Sequence, residues 1–123
     1  PRKMEPEYNT LVSNLVKPGV DILHSLKPED CHNLHMAVGI AGEAGELIDA
    51  VKKHVIYRKP LDIDNIIEEL GDLEFYMQGL RSSLGITREE CLSRNFAKLC
   101  KRFPAGTYKN VDAIVRADKP EGH

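Results

Sequence analysis

The sequence predicts an all-α fold, a helical bundle of four main helices in a single domain covering residues 1–123, with its core between about 28 and 108. Three observations lead there. Apolar residues recur at intervals of three and four along most of the chain, and no stretch alternates with period two for long enough to make a strand. Proline and glycine fall between the periodic segments instead of gathering into a linker, and no internal repeat or low-complexity tract is visible.

A chain of 123 residues is long enough to bury a core and too short for two ordinary domains. Hydrophobic residues make up 41% and charged residues 29%, a globular and not a disordered balance. Seventeen Lys and Arg against nineteen Asp and Glu leave a formal charge of -2, which provides no global field for a nucleic-acid polymer. An anionic ligand must therefore be small and met by local cations or a metal. Cys31, Cys91 and Cys100 form no C-x-x-C pair and are odd in number, so they read as buried free thiols in a reducing compartment. The opening Pro1-Arg-Lys-Met4 is too short and polar for a signal peptide, and no apolar run approaches the ~18 residues of a membrane span. A cytoplasmic protein without a membrane partner is expected.

The first helix is expected from about Glu5 to Val16, stopped by Lys17-Pro18-Gly19. A second runs from Pro28 to about Tyr57, with Leu34, Val38, Ala41, Ala44, Ile48, Val51 and Val55 on one face. At ~1.5 Å per residue it outreaches a compact domain of this size, so part of it should project or meet another subunit. Gly39, Gly42 and Gly45 interrupt it, each at a cost of about 1 kcal/mol relative to Ala, which close approach of a neighbouring helix would offset. A third helix, capped by Asp62 or Asp64, reaches Leu84 with Ile63, Ile66, Ile67, Leu70, Leu73, Met77, Leu80 and Leu84 inward, and Gly85 ends it. Thr87 and Glu90 form a capping box for a fourth helix, whose apolar face is Leu92, Phe96, Leu99 and Phe103 and which Pro104 closes. From Ala105 to His123 only a short turn around Val111 to Val115 is expected.

The chemistry lies in four carboxylates. Glu43 and Glu46 are three apart on the second helix, and Glu69 and Asp72 are three apart on the third. Each pair therefore projects from one face, and antiparallel packing would bring both pairs together. An isolated E-x-x-E is commonplace on solvated helices. Here each pair sits in an otherwise apolar stretch, where charges require a partner. Four gathered carboxylates raise one another's pKa unless cations neutralise them, and hard oxygen donors favour Mg²⁺, with Mn²⁺ as a substitute.

Gly42-Glu-Ala-Gly-Glu-Leu47 followed by Glu68-Glu-Leu-Gly-Asp-Leu73 resembles the E-x-x-E…E-x-x-D signature of the MazG-like branch of the all-α NTP pyrophosphohydrolases. Asn95-Phe-Ala-Lys98-Leu-Cys-Lys-Arg102 resembles that family's downstream N-x-x-K-x-x-x-R helix, so the likeness covers about residues 34 to 108. The resemblance implies Mg²⁺-dependent hydrolysis of a nucleoside triphosphate between its α and β phosphates, giving the monophosphate and pyrophosphate. Glu43, Glu46, Glu69 and Asp72 would hold metal, and Asn95, Lys98 and Arg102 would contact the nucleotide. It also implies a homodimer or homotetramer whose site is shaped partly by a neighbouring chain, and the overlong second helix suggests the same.

The residues add detail of their own. Asn95, Lys98 and Arg102 form one polar stripe beside the apolar face of the fourth helix, with a point charge and a forked donor suited to phosphate oxygens. Lys53 lies two turns beyond Glu46 on the same face, within reach of phosphates, although a solvated lysine is the plain reading. Tyr76, four after Asp72, extends the acidic face and could border ribose or base, although an aromatic at this spacing is more often core. Glu46 is the preferred general base.

Two rivals remain. A di-iron carboxylate bundle needs Glu-x-x-His on two helices, and only Glu29-Asp-Cys-His32 fits, without a mate. Half a soft-metal site from His32 and His35 has no further ligands to complete it. A non-catalytic helical dimerisation module, its acids merely solvating one face, would show neither Mg²⁺-dependent stability nor nucleotide turnover.

Overall fold

The computed structural model of the chain describes residues 3–120. Pro1-Arg2 and the last three positions of the tail lie outside them. Six helices follow in order: α1 (Met4–Leu15), α2 (Gly19–Ser25), α3 (Pro28–Val55), α4 (Ile63–Leu84), α5 (Arg88–Arg102) and α6 (Asn110–Val115). Among the described residues there is no strand, and four of the helices exceed ten residues. The all-α expectation holds, with one short helix, α2, unforeseen and another, α6, foreseen only as a turn.

Local signals set the boundaries. Pro28 opens α3, where the Lys27 N–H donates to Asp30 Oδ2 at 2.9 Å. Asp62, not Asp64, caps α4, its Oδ1 accepting from the Asn65 N–H at 3.1 Å, and Gly85 closes that helix at φ 67. Thr87 Oγ1 accepts from the Glu90 N–H at 3.1 Å at the start of α5. The Glu90 carboxylate does not complete the capping box but accepts from Arg94 Nη2 at 2.8 Å.

The central element is the α3–α4 hairpin, in which the two helices pack along their length. Ser83 Oγ donates to Asn33 Oδ1 at 2.6 Å, Met36 touches Gly79, and Gly39 receives the Tyr76 ring. Ascending positions on α3 thus meet descending positions on α4, the antiparallel arrangement. Met36 and Ala50 are the only apolar side chains buried among the described residues.

The apolar faces differ from expectation. The α3 stripe Leu34, Val38, Ile48, Val51 and Val55 is exposed, Ile48 by 67%, and α4 meets instead Asn33, Met36, Gly39 and Glu43. On α4, Ile66, Leu73 and Leu80 are half-buried, whereas Ile63, Ile67, Leu70, Met77 and Leu84 remain exposed. Periodicity locates the widest apolar face of a helix but not the surface that covers it. On α5, Leu92, Phe96 and Leu99 are also uncovered, because α5 packs on α6 and makes no comparable contact with the hairpin.

The cysteines require a correction too: Cys31, Cys91 and Cys100 are free but exposed, since the helices that carry them bury so little of their surface. Of the three α3 glycines, only Gly39 permits a close approach, while a Cβ at Gly42 or Gly45 would meet nothing within 4 Å. The accessible surface is 10258 Å². A compact monomer of this 13.8 kDa mass would expose roughly 6,600 Å².

Candidate metal centre

The hairpin brings carboxylates together at mid-length. Glu43 of α3 and Glu69 and Asp72 of α4 each present an oxygen within 4.8 Å of the others, a spacing one cation can bridge. Glu43 and Glu69 are half-buried at the helix contact. Asp72 and Glu69 share a face because they are three apart, and Glu43 faces them because Gly39, one turn earlier, lets Tyr76 and its helix approach.

The electrostatics follow from the geometry. A hydrogen bond with Glu43, then partial loss of hydration, then the charges of Glu43, Asp72 and Glu46 push the Glu69 carboxyl up to about 7. Glu69 Oε2 is hidden from water with no hydrogen-bond partner among the described residues. A shared proton relieves this repulsion at low pH and a divalent cation would relieve it at higher pH, so the side chains present fit a hard metal ion.

Glu46 stands apart from the other three. It lies outside the set within 4.8 Å and is exposed, yet its charge acts on both Glu69 and Lys53. Lys53 Nζ lies 3.1 Å from Asp49 Oδ2, one turn back on α3. That hydrogen bond and the Asp49 charge, with smaller contributions from Glu46 and Asp62, raise the Lys53 pKa. Sequence reading missed Asp49, although its i,i+4 position to Lys53 was the available signal. Tyr76 occupies the hairpin contact against Gly39, with its ring edge-on to His35 at 6.1 Å and Phe75 at 5.2 Å. His32 Nε2 lies 3.3 Å from the Gly79 carbonyl oxygen, a contact across the hairpin.

The basic stripe is not gathered here. Asn95, Lys98 and Arg102 lie on α5, away from the hairpin contact, and Arg102 Nη2 donates to the Ala113 carbonyl of α6 at 3.2 Å. The acids and the stripe therefore belong to two separate packing units of the chain.

No helix among the described residues is long and apolar enough to cross a membrane. No curated protein and no solved structure matches the chain. A family model, the MazG nucleotide pyrophosphohydrolase domain, matches residues 32–107, a span that includes all four acids and the stripe on α5. With well over half its length matched, and with three of the four acids meeting across an all-helical hairpin, the chain belongs to the MazG nucleotide pyrophosphohydrolase family.

Proposed function

We propose that the chain hydrolyses a nucleoside triphosphate, ribo- or deoxyribo-, between its α and β phosphorus atoms, releasing the monophosphate and pyrophosphate in the service of nucleotide-pool housecleaning. The observation that carries this reading is the meeting of Glu43, Glu69 and Asp72 within 4.8 Å, with an unpartnered Glu69 oxygen among them. Glu43, Glu69 and Asp72 hold Mg²⁺, with Glu46 at the margin of the group. A bound divalent cation supplies a lowered pKa for water and offsets the charge of the phosphates.

The chain's own residues do the rest. Glu46, outside the tight set but close enough to act on it, serves as general base and takes the proton of the attacking water. Lys53, turned toward carboxylates by Asp49, exchanges that partner for a phosphate when the nucleotide enters. Asn95, Lys98 and Arg102 bind phosphate oxygens.

For these cations to reach the acids, the protein assembles as a homodimer or homotetramer in which α5 of one copy covers the hairpin of another. The surface in excess of a compact monomer is roughly 3,600 Å² per chain, ample for an obligate interface. A shallow apolar groove of about 500 Å³ along Leu47, Ile48, Val51 and Val55 offers a seat for the exposed Leu92, Phe96 and Leu99. Acid cluster and basic stripe are complementary in charge. The exposed free thiols fit a reducing, cytoplasmic setting, and the whole chain acts as one domain.

The test is a panel of common NTPs and dNTPs incubated with purified protein and Mg²⁺, with products resolved by chromatography. Monophosphate and pyrophosphate from at least one substrate are expected. Diphosphate with orthophosphate, or no turnover anywhere on the panel, overturns the reading, and the latter outcome would leave the helical dimerisation module standing.

A further inference from the structure

α4 carries more apolar surface than the hairpin uses. Ile66, Leu73 and Leu80, seven apart, are half-buried. A second stripe runs beside them through Ile63, Ile67, Leu70, Glu74, Met77, Arg81 and Leu84, in alternating steps of four and three that fill the helix from end to end. This is the a/d pattern of a coiled-coil seam, about 32 Å long at ~1.5 Å per residue. All of its apolar members are exposed, Ile67 by 62%. A stripe of this strict period is narrow and fits one further helix, not the broad cover of a globular core.

The two polar members indicate which helix. Glu74 and Arg81 occupy equivalent positions seven apart, and Arg81 is the one charged side chain buried among the described residues. Glu74 Oε1 accepts from Arg81 Nη2, and Gln78 Oε1 accepts from Arg81 Nε at 3.2 Å and from Nη2 at 2.9 Å. Arg81 Nη1 donates to no group among the described residues, and Glu74 stays half exposed, so the pair keeps a donor and an acceptor for a group outside the chain. Charges at seam positions cost stability and in return select register and orientation.

A parallel second copy would set Glu74 against Glu74 and Arg81 against Arg81. An antiparallel copy, related by a two-fold axis beside Met77, brings Glu74 to the partner's Arg81 and Arg81 to the partner's Glu74. The seam is thus complementary to itself. With one acid and one base it has no net charge to offer a nucleic acid or an anionic bilayer. The roughly 3,600 Å² by which the chain exceeds a compact monomer is several times the ~800 Å² a standard interface takes from each partner, which leaves room for this contact beside the α5 seat.

We propose that α4 pairs with α4 of a second copy in an antiparallel seam about a two-fold axis at Met77, in which Glu74 and Arg81 form two ion pairs between the chains. The seam rests on the self-association proposed above and not on hydrolysis.

The experiment uses two full-length, differently tagged chains, Glu74→Arg and Arg81→Glu, with association read by sedimentation equilibrium and folding by circular dichroism. Each variant alone places like charges across the seam and should self-associate at least about a hundred-fold more weakly than the parent. Mixed, the two chains carry two arginines opposite two glutamates and should recover parental affinity as heterodimers. A pair that acts only within its own chain stays repulsive in each variant whatever its partner, so mixing would restore nothing. Glu74→Arg/Arg81→Glu in one chain restores the pair in both cases and serves as the folding control. Variants unfolded alone and helical when mixed count as recovery, since many obligate dimers have no stable monomer.

No recovery on mixing, with the double variant like the parent, overturns the seam. So does a monomeric parent, which removes the proposed assembly too, and so do single variants that associate as the parent does, which leave assembly to the α5 seat. Recovery in a protein that turns over no nucleotide would retain the seam and remove the hydrolase reading. Turnover without recovery would do the reverse.

Discussion

Gly39 of α3 lies so close to the Tyr76 ring of α4 that a methyl group at position 39 would overlap three ring carbons. The ring has little freedom to retreat, since His35 and Phe75 meet it edge-on at 6.1 and 5.2 Å. Glu43 is one turn beyond Gly39 and Asp72 one turn before Tyr76, so this contact sets the helix separation at the acid cluster. Gly39→Ala should cost about 1–3 kcal/mol through overpacking. Gly42→Ala and Gly45→Ala, which meet nothing within 4 Å, should gain up to about 1 kcal/mol from helix propensity. Urea unfolding of the three variants checks the contrast, and equal effects would mean that the Gly39 contact does not hold the hairpin.

Asp72→Asn tests the metal assignment with almost no change of shape. It removes one of the three charges gathered within 4.8 Å and retains an oxygen, so the hairpin should form as before. A loss of at least about a hundred-fold in kcat/KM is expected, about 2.7 kcal/mol of transition-state stabilisation, with far-ultraviolet circular dichroism unchanged. Activity within a few-fold of the parent would remove Asp72 from the site.

Glu69 makes the cluster sensitive to pH. Its carboxyl is pushed up to about 7 from an ordinary value of 4.5, so between those values the folded chain binds more protons than the unfolded one. The contribution is fully present below 4.5 and is lost as pH rises through about 7, so stability from this group falls with rising pH. In EDTA, the Tm of the parent should therefore drop relative to that of Glu69→Gln between about pH 5 and pH 8. Mg²⁺ should raise the parent Tm more at the upper end of that range, where protons no longer compete for the oxygens. Parallel Tm curves for the two proteins would show that Glu69 does not titrate in this window.

How far the sequence could be read varied with the range of the signal. Caps and stops were legible at Asp62, Gly85 and Thr87, because each acts through one or two neighbouring hydrogen bonds. The meeting of Glu43 with Glu69 and Asp72 was legible as well, since two i,i+3 pairs on helices joined by a short turn have few ways to be placed. The burial of Leu34, Ile48 or Phe96 was not. Their periodicity is real, but it records surfaces that one chain leaves uncovered. Arg116 and Asp118 carry no periodic pattern at all, and only the fold shows that their polar atoms lose water.

The separation of Lys98 from the acids yields a test of how the site is completed. Lys98 lies on α5, which packs on α6 and not on the hairpin carrying Asp72. If α5 of one copy covers the hairpin of its partner, a Lys98→Ala chain has intact acids, and an Asp72→Asn chain has an intact basic stripe. Each homo-oligomer should be nearly inactive. In a two-fold symmetric dimer of one chain of each kind, one site combines the intact acids with the intact stripe and the other combines both defects. Random exchange makes about half of the dimers mixed, so the mixture should recover about a quarter of parental activity. Mixing after mild denaturation and refolding, with the parent protein treated in the same way, measures this. Recovery establishes that Lys98 and Asp72 act across the subunit boundary. No recovery, with exchange verified by differently tagged chains, would place both residues in the same chain's site and require α5 to fold back onto its own hairpin.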